Sequence, residues 1–202
     1  MTKIKLCGLR RPEDIAAANA LKPDFVGFVF AASRRQVTPE EALPLRQLLD
    51  PAIPAVGVFV DEAPERVADL LNRSVIQIAQ LHGHEDERYL ARLRALAPGR
   101  PLWQAFRLRR PEDAAPANAS SADCILLDSG RGSGEVFDWA LLSAIRRPYF
   151  LAGGLGPETV PAALHALHPC GVDVSSGIET DHQKDAKKMA AFVAAVRKGD
   201  AL

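Results

Sequence analysis

Eight short apolar runs, separated by segments with helical spacing, constrain the fold of this chain more than any other feature of its sequence. The runs start roughly 20 to 30 residues apart, and most are continuous rather than alternating. Continuous apolar runs of this length are typical of strands that are covered on both faces in a parallel sheet. The predicted strands are residues 4–7, 25–30, 55–60, 76–81, 102–106, 124–127, 149–152 and 172–174.

Segments rich in Ala, Leu, Glu and Arg lie between these runs and are predicted to be helices. The clearest are residues 12–21, 39–49, 64–71, 85–96 and 157–167. Thr38, Pro39 and Glu41 form a capping-box pattern that marks one helix start. Gly156-Pro157-Glu158 resembles a second start. Residues 114–122 are predicted to be the loosest segment of the chain.

Strands that alternate with helices indicate right-handed βαβ units. Eight such units favour a closed (β/α)₈ barrel, a TIM barrel of parallel strands, which residues 1–202 form as a single domain. A length of 202 residues lies near the lower limit for such a barrel. An open doubly wound α/β sheet is the alternative architecture.

The composition argues against several classes of protein. Lys and Arg together number 25, as do Asp and Glu, so the formal net charge is zero, which disfavours a nucleic-acid-binding protein. No apolar run approaches the roughly 20 residues that span a bilayer, and the first residues enter a strand pattern without a secretory signal. Three cysteines without paired spacing fit a reducing compartment. We therefore expect a cytoplasmic protein with neither nucleic-acid nor membrane partners.

Polar residues and glycines collect where the predicted strands end. In a (β/α)₈ barrel these ends meet at one rim, where the active site lies. Eight of the 14 glycines fall between positions 130 and 177, and the backbone N–H groups of glycine-rich turns form concave anion sites. The turns at Gly153-Gly154 and at Ser175-Ser176-Gly177 follow the last two strands. We expect them to bind a phosphate group, the alternative being that they only turn tight corners.

Four side chains at this rim are candidates for chemistry. A thiol placed among N–H donors or cations, as expected for Cys7, is partly ionised and acts as a base; the alternative is a small buried hydrophobe. A carboxyl group in an apolar barrel mouth, as expected for Asp128, has a raised pKa and donates a proton; the alternative is a cap for the following loop. Arg35 suits bidentate binding of a carboxylate, and His82 suits acid–base chemistry. No residue pattern predicts a metal site.

These motifs, in this order, resemble those of the phosphoribosylanthranilate isomerase family. The resemblance covers nearly the whole chain, and its specificity comes from the joint order of short motifs. The matching stretches are Lys5-Leu6-Cys7-Gly8-Leu9, Gly27-Phe28-Val29-Phe30 with Ser33-Arg34-Arg35, Val56-Gly57-Val58-Phe59-Val60, Gln80-Leu81-His82-Gly83, Leu127-Asp128-Ser129, Gly132-Ser133-Gly134 with Phe137-Asp138-Trp139, Leu151-Ala152-Gly153-Gly154-Leu155, and Asp173-Val174-Ser175-Ser176-Gly177-Ile178-Glu179 with Lys184-Asp185.

The resemblance implies an Amadori rearrangement of N-(5′-phosphoribosyl)anthranilate to 1-(2-carboxyphenylamino)-1-deoxyribulose 5-phosphate in tryptophan biosynthesis, without cofactor or metal. It implies that Asp128 is the general acid that opens the ribose ring and that Cys7 is the general base that removes the C2 proton. Arg35 matches the arginine that holds the anthranilate carboxylate. His82 and the glycine and serine turns complete the expected substrate site. The expected partner is one phosphorylated small molecule, bound by a monomer or a homodimer.

Two departures from the family pattern bear on substrate binding. Arg131 stands in a loop where the family usually has glycine, and we expect it either to stiffen the loop or to add a charge near the substrate entrance. The family also tends to have Pro-Gly before the final Lys-Asp, whereas this chain has Asp181-His182-Gln183 there. The path of this last loop is therefore open.

Two other functions compete with this interpretation. The related sugar isomerase of histidine biosynthesis has a carboxylate at the end of its first strand, where this chain has Cys7. A barrel that binds a phosphorylated ligand without catalysis, as a regulator or scaffold, would not need both Cys7 and Asp128.

Overall fold

The computed structural model describes residues 1–128 and 139–200. Eight parallel strands follow one another in chain order around a closed barrel, and β8 pairs with β1 to close it. The predicted (β/α)₈ barrel is confirmed, and the open doubly wound alternative is wrong. The strands are β1 (Lys3–Cys7), β2 (Phe25–Val29), β3 (Ala55–Phe59), β4 (Ile78–Leu81), β5 (Leu102–Arg107), β6 (Cys124–Asp128), β7 (Tyr149–Ala152) and β8 (Gly171–Val174).

Seven α-helices in the described ranges surround the barrel, and several neighbouring pairs of them pack against one another. None of these helices is long and apolar enough to cross a membrane. The helices are α1 (Pro12–Leu21), α2 (Pro39–Leu48), α3 (Pro64–Asn72), α4 (Glu87–Leu96), α5 (Ala114–Ala119), α6 (Val160–Leu167) and α7 (Ala186–Gly199).

Local chemistry sets the helix starts. The Thr38 hydroxyl accepts a hydrogen bond from the Glu41 N–H at 3.2 Å, and the Glu41 carboxylate accepts one from the Thr38 N–H at 2.8 Å, so the predicted capping box is confirmed. The second predicted start lies a turn too early. Residues 156–159 form a turn in which the Gly156 N–H donates to the Thr159 hydroxyl at 2.9 Å, and α6 begins only at Val160.

The prediction that residues 114–122 are the loosest segment is wrong. Ala114–Ala119 form α5, and the small side chains of Ala114 and Ala117 are buried against the barrel. Asn118 fixes this helix at its outer side, because its amide donates to the Ala144 carbonyl and accepts from the Arg146 N–H. An alanine-rich segment without a strong hydrophobic pattern is therefore ordered by packing and by one side-chain bridge.

The core has two layers. The larger layer joins the outward-facing strand residues to the helices; Ile4, Leu6 and Ile15, for example, are completely buried in it. A smaller cluster contains only buried strand residues and fills the barrel interior, with Trp103 and Phe150 at its centre. This cluster does not fill the barrel at the carboxyl ends of the strands, where a cavity is present.

A short hairpin follows β8 and closes one side of the barrel mouth. A single 3₁₀ turn at Ser176–Ile178 leads into β9 (Glu179–Thr180), which pairs antiparallel with β10 (Gln183–Lys184). Asp181 and His182 connect the two strands, and both have left-handed backbone conformations, with φ of 49° and 62°. The loop whose path the sequence left open is thus a two-residue hairpin turn, made without glycine.

Candidate active site

A cavity of about 510 Å³ opens at the carboxyl ends of the barrel strands. All eight strands or the loops that follow them contribute to its wall. The cavity therefore lies where the sequence predicted a site, and eight of the nine predicted site residues line it. The lining residues are Cys7, Val29, Ser33, Arg35, Val58, Gln80, His82, Arg107, Arg109, Asp128, Ala152, Gly153, Gly154, Leu155, Asp173, Ser175 and Ser176.

Cys7 is the last residue of β1, and its side chain lies at the floor of the cavity with only 6% of the residue exposed. Burial raises the pKa of the Cys7 thiol above its ordinary value, although the positive charges of Lys5 and Lys184 lower it again in part. The sequence led us to expect a partly ionised thiol. In this structure burial outweighs the neighbouring cations.

Asp128 ends β6 and faces His82 across the cavity. The Asp128 Oδ2 atom lies 3.4 Å from His82 Nε2 and 4.0 Å from Arg107 Nε. The side-chain amide of Gln80 lies 3.4 Å from the other ring nitrogen of His82. When this amide donates to Nδ1, the imidazole proton is on Nε2 and is directed at Asp128. Gln80 and His82 thus orient the carboxyl group of Asp128.

Arg35 lies in the loop after β2 and makes a bidentate ion pair with Glu179 of the hairpin. Arg35 Nε and Nη2 donate to the two carboxylate oxygens at 2.6 and 2.8 Å. Lys184 Nζ lies 2.6 Å from one of the same oxygens and donates to the Ser175 carbonyl at 2.9 Å. Burial alone would raise the pKa of Glu179, but Arg35 and Lys184 lower it to about 2. These contacts fix the Arg35 guanidinium at the rim of the cavity.

The turns after β7 and β8 form a further part of the rim, and the β8 turn adjoins Arg35 and Lys184. Gly153 and Gly154 both have positive φ angles, 88° and 63°, a conformation that glycine adopts without strain. Ser175 is tied to the first strand, since its hydroxyl donates to the Cys7 carbonyl at 3.1 Å. Gly177 has a packing role behind this rim, because a Cβ atom there would overlap with the Leu155 carbonyl.

Basic side chains dominate the outer wall of the cavity. Three arginines, Arg35, Arg107 and Arg109, line it together with the imidazole of His82. Asp128 and Asp173 are the acidic groups that line it. A chain of zero formal net charge therefore concentrates positive charge at this mouth, where it suits an anionic ligand.

Three charged residues that lie at or below the cavity were assigned no role from the sequence. These residues, Lys5, Glu179 and Lys184, were nonetheless part of the recognised motifs. The alternation of polar and apolar residues in β1 was the available signal for Lys5, because residues two apart in a strand share a face. Arg131 and the loop from Gly130 to Gly134 lie outside the described residues. Within residues 1–128 and 139–200 no three His, Cys, Asp or Glu side chains are grouped as metal ligands.

Comparison with known proteins agrees with this geometry. The family model described as N-(5′phosphoribosyl)anthranilate (PRA) isomerase matches residues 4–195. The N-(5′-phosphoribosyl)anthranilate isomerase of Acetivibrio thermocellus is 43% identical over 214 residues, which cover 99% of this chain and 98% of that protein. The crystal structure of phosphoribosyl anthranilate isomerase from Thermotoga maritima is similar over the full length of both chains, with a TM-score of 0.87 and 32% identity.

A second similar structure contains a bound ligand. It is a phosphoribosyl anthranilate isomerase in complex with reduced 1-(o-carboxyphenylamino)-1-deoxyribulose 5-phosphate, with a TM-score of 0.86 and 31% identity over 98% of this chain and 100% of that one. Sequence and structural similarity therefore extend over the whole barrel, strand by strand. The chain belongs to the N-(5′-phosphoribosyl)anthranilate isomerase family.

Proposed function

We propose that this chain isomerises N-(5′-phosphoribosyl)anthranilate to 1-(2-carboxyphenylamino)-1-deoxyribulose 5-phosphate, a step of tryptophan biosynthesis, with Asp128 as general acid and Cys7 as general base. Membership of the isomerase family supports the reaction. The observation that supports the two roles is that Cys7 and Asp128, the last residues of β1 and β6, line one cavity.

The charges of the cavity suit this substrate. It has a phosphate group at one end and an aromatic carboxylate at the other, so both ends need cationic or N–H partners. The turns at Gly153-Gly154 and Ser175-Ser176 are assigned to the phosphate. Arg35, fixed by Glu179, is assigned to the carboxylate. The ligand in the similar isomerase complex has both anionic groups.

The first chemical step needs an acid. Asp128 donates its proton to the ribose ring oxygen, the C1–O bond breaks, and the nitrogen lone pair forms a C=N bond to give the open-chain iminium. The carboxylate that remains lies next to His82 and Arg107, which stabilise its negative charge. His82 therefore helps the step without taking the proton itself.

The second step needs a base. The Cys7 thiolate removes the proton from C2, the C2–H electrons form a C1=C2 double bond, and the C=N electrons return to nitrogen. The resulting enolamine tautomerises to the ketone. One carboxyl group and one thiol can serve both steps because they act at different atoms of the sugar. The scheme uses side chains of this chain and no cofactor.

A turnover assay separates this proposal from its two rivals. Freshly prepared phosphoribosylanthranilate is added to the purified chain, and the fall in anthranilate-type fluorescence is followed. We expect turnover with this substrate. Turnover of the histidine-pathway substrate alone, or binding of phosphoribosylanthranilate without turnover, would contradict the proposal. The oligomeric state, a monomer or a homodimer, is a separate prediction that this assay does not test.

The two assigned roles predict the effect of removing each group. Cys7→Ala and Asp128→Asn should each lower kcat by about 100-fold or more, because general acid–base catalysis contributes about that factor. Circular dichroism and thermal unfolding check that each variant folds. Cys124→Ala, which removes a thiol outside the cavity, is the matched control and should keep its kcat. A folded Cys7→Ala or Asp128→Asn variant with near-normal kcat would remove that residue from the mechanism.

A further inference from the structure

Lys5 is a charged side chain inside the barrel, directly below the cavity. It is completely buried in β1, between Ile4 and Leu6, which face the helices. Lys5 and Cys7 are two residues apart in the same strand, so their side chains share the inner face of the barrel. Lys3, on the same face at the other end of the strand, is exposed. A lysine is almost never buried so completely unless its charge is paired.

Asp173 of β8 is the partner of this lysine. The two residues are directly opposite in the β1–β8 register, and Lys5 Nζ donates to Asp173 Oδ1 at 3.0 Å. Burial alone would lower the pKa of Lys5, but the charge and hydrogen bond of Asp173 raise it above its ordinary value. Lys5 is therefore a cation. A buried ion pair adds little stability compared with apolar residues of the same size, so stability does not explain its presence.

Gly27 of β2 leaves the space in which Lys5 and Cys7 meet. It is the register partner of Cys7, and it has no side chain to fill the interior at that level. A Cβ atom on Gly27 would lie 2.7 Å from Cys7 Sγ and 3.2 Å from Lys5 Cε. The sulfur and the end of the lysine side chain thus occupy the same pocket over one glycine.

We propose that Lys5 is a positioning residue that stabilises the thiolate of Cys7, and that Asp173 is the counterion that keeps Lys5 protonated. The inference rests on the proposed role of Cys7 as the general base. When Cys7 takes the C2 proton, the S–H bond forms and the thiolate charge disappears, while Lys5 keeps its own proton throughout. Lys5 acts before the transfer, by raising the fraction of Cys7 that is ionised.

The other charges around Cys7 do not replace Lys5. Lys184 approaches from the hairpin and Arg35 from the loop after β2, but both are paired with the Glu179 carboxylate. Asp173 opposes ionisation of the thiol, and its effect on the pKa of Cys7 is smaller than that of Lys5. When Lys5 and Asp173 are removed together, the Cys7 thiol should therefore be harder to ionise than in the parent protein.

The test is a titration of Cys7 itself. In a Cys124→Ser/Cys170→Ser background Cys7 is the single thiol, and its ionisation is followed by thiolate absorbance and by the rate of alkylation with iodoacetamide. The Lys5→Met/Asp173→Asn variant removes the cation and leaves no unpaired buried charge. We expect its Cys7 titration to move to higher pH by about one unit, with alkylation at pH 8 about tenfold slower.

Two further variants control for packing. Lys3→Met removes the exposed lysine of the same strand face and should leave the titration unchanged. Lys5→Arg keeps the cation and should titrate closer to the parent than the double variant does. An unchanged Cys7 titration in the folded double variant would overturn the assignment of Lys5.

The activity of Cys7→Ala distinguishes this failure from failure of the proposed function. Normal turnover by Cys7→Ala would overturn both the base and its positioning residue. Loss of turnover in Cys7→Ala, together with an unchanged titration in the double variant, would overturn the role of Lys5 alone.

Discussion

Arg35 illustrates at the scale of one residue how this site differs from its sequence motif. The Ser33-Arg34-Arg35 motif suggests that the Arg35 guanidinium has no partner in the protein and is available for the substrate carboxylate. In the structure two of its nitrogens, Nε and Nη2, are already bound by Glu179. An internal carboxylate fixes the rotamer, which lowers the entropic cost of binding the substrate through the remaining face of the guanidinium.

Loss of Arg35 should weaken substrate binding more than catalysis. A hydrogen bond to a charged group contributes about 1.5–3 kcal/mol, so Arg35→Ala should raise KM by about 10- to 100-fold with a smaller change in kcat. Steady-state kinetics measure both constants. Arg34→Ala is the control, because the Arg34 side chain makes hydrogen bonds to exposed His182 and its loss should leave KM unchanged. An unaltered KM in Arg35→Ala would refute the assignment.

The position of Cys7 and Asp128 at the cavity was predictable from the sequence, whereas their surroundings were not. Cys7 and Asp128 each follow an apolar run, and strand-end position alone places them at the rim. The alternation in β1 places Lys3 and Lys5 on the same face but does not distinguish them, yet Lys3 is exposed and Lys5 is completely buried. The difference depends on the barrel closing over the strand, which is a property of the tertiary structure.

At the scale of elements, the hairpin of β9 and β10 orders one wall of the site. It positions Glu179 and Lys184, and Lys188 of α7 donates to the Glu179 carbonyl at 2.7 Å. The turn of this hairpin is strained, because Asp181 and His182 are both left-handed without being glycine. In the family pattern this turn tends to contain Pro-Gly, which this chain lacks.

Replacing one of these two residues by glycine should relieve the strain. His182→Gly is expected to raise the free energy of unfolding by about 1 kcal/mol, the approximate cost of a left-handed conformation for an L-residue. Chemical denaturation measures the change. His182→Ala removes the same contact with Arg34 but keeps the Cβ atom, so it should not stabilise the protein. Equal stability of the two variants would show that the turn is unstrained.

Most element positions followed from the sequence, because parallel strands and amphipathic helices have strong local patterns. The exceptions depend on contacts that are distant in sequence. The α5 helix is ordered by the bridge between Asn118 and the segment at Ala144 and Arg146. The start of α6 depends on the hydrogen bond from the Gly156 N–H to the Thr159 hydroxyl, which holds residues 156–159 in a turn. The preference of proline for the first helical position does not predict this bond.

At the scale of the whole molecule, the site exists only because the barrel closes. Its chemical groups come from positions as distant as Cys7 and Ser176, and they meet because β8 pairs with β1. The count of eight apolar runs favoured this closure over an open doubly wound sheet. The floor of the cavity was not predictable, since it depends on which side chains of the inner barrel face, such as Cys7, Val58 and Gln80, meet once the barrel closes.

The central claim is that a thiol and a carboxyl group act on one sugar whose phosphate is held by the last two loops of the barrel. The most direct measurement is a crystal structure of this chain with reduced 1-(o-carboxyphenylamino)-1-deoxyribulose 5-phosphate. We predict the phosphate at Gly154 and Ser176, and Asp128 within about 3.2 Å of the oxygen that came from the ribose ring. Cys7 Sγ should face C2 from the cavity floor. A ligand bound in the reverse direction, or with C2 out of reach of the sulfur, would contradict the account.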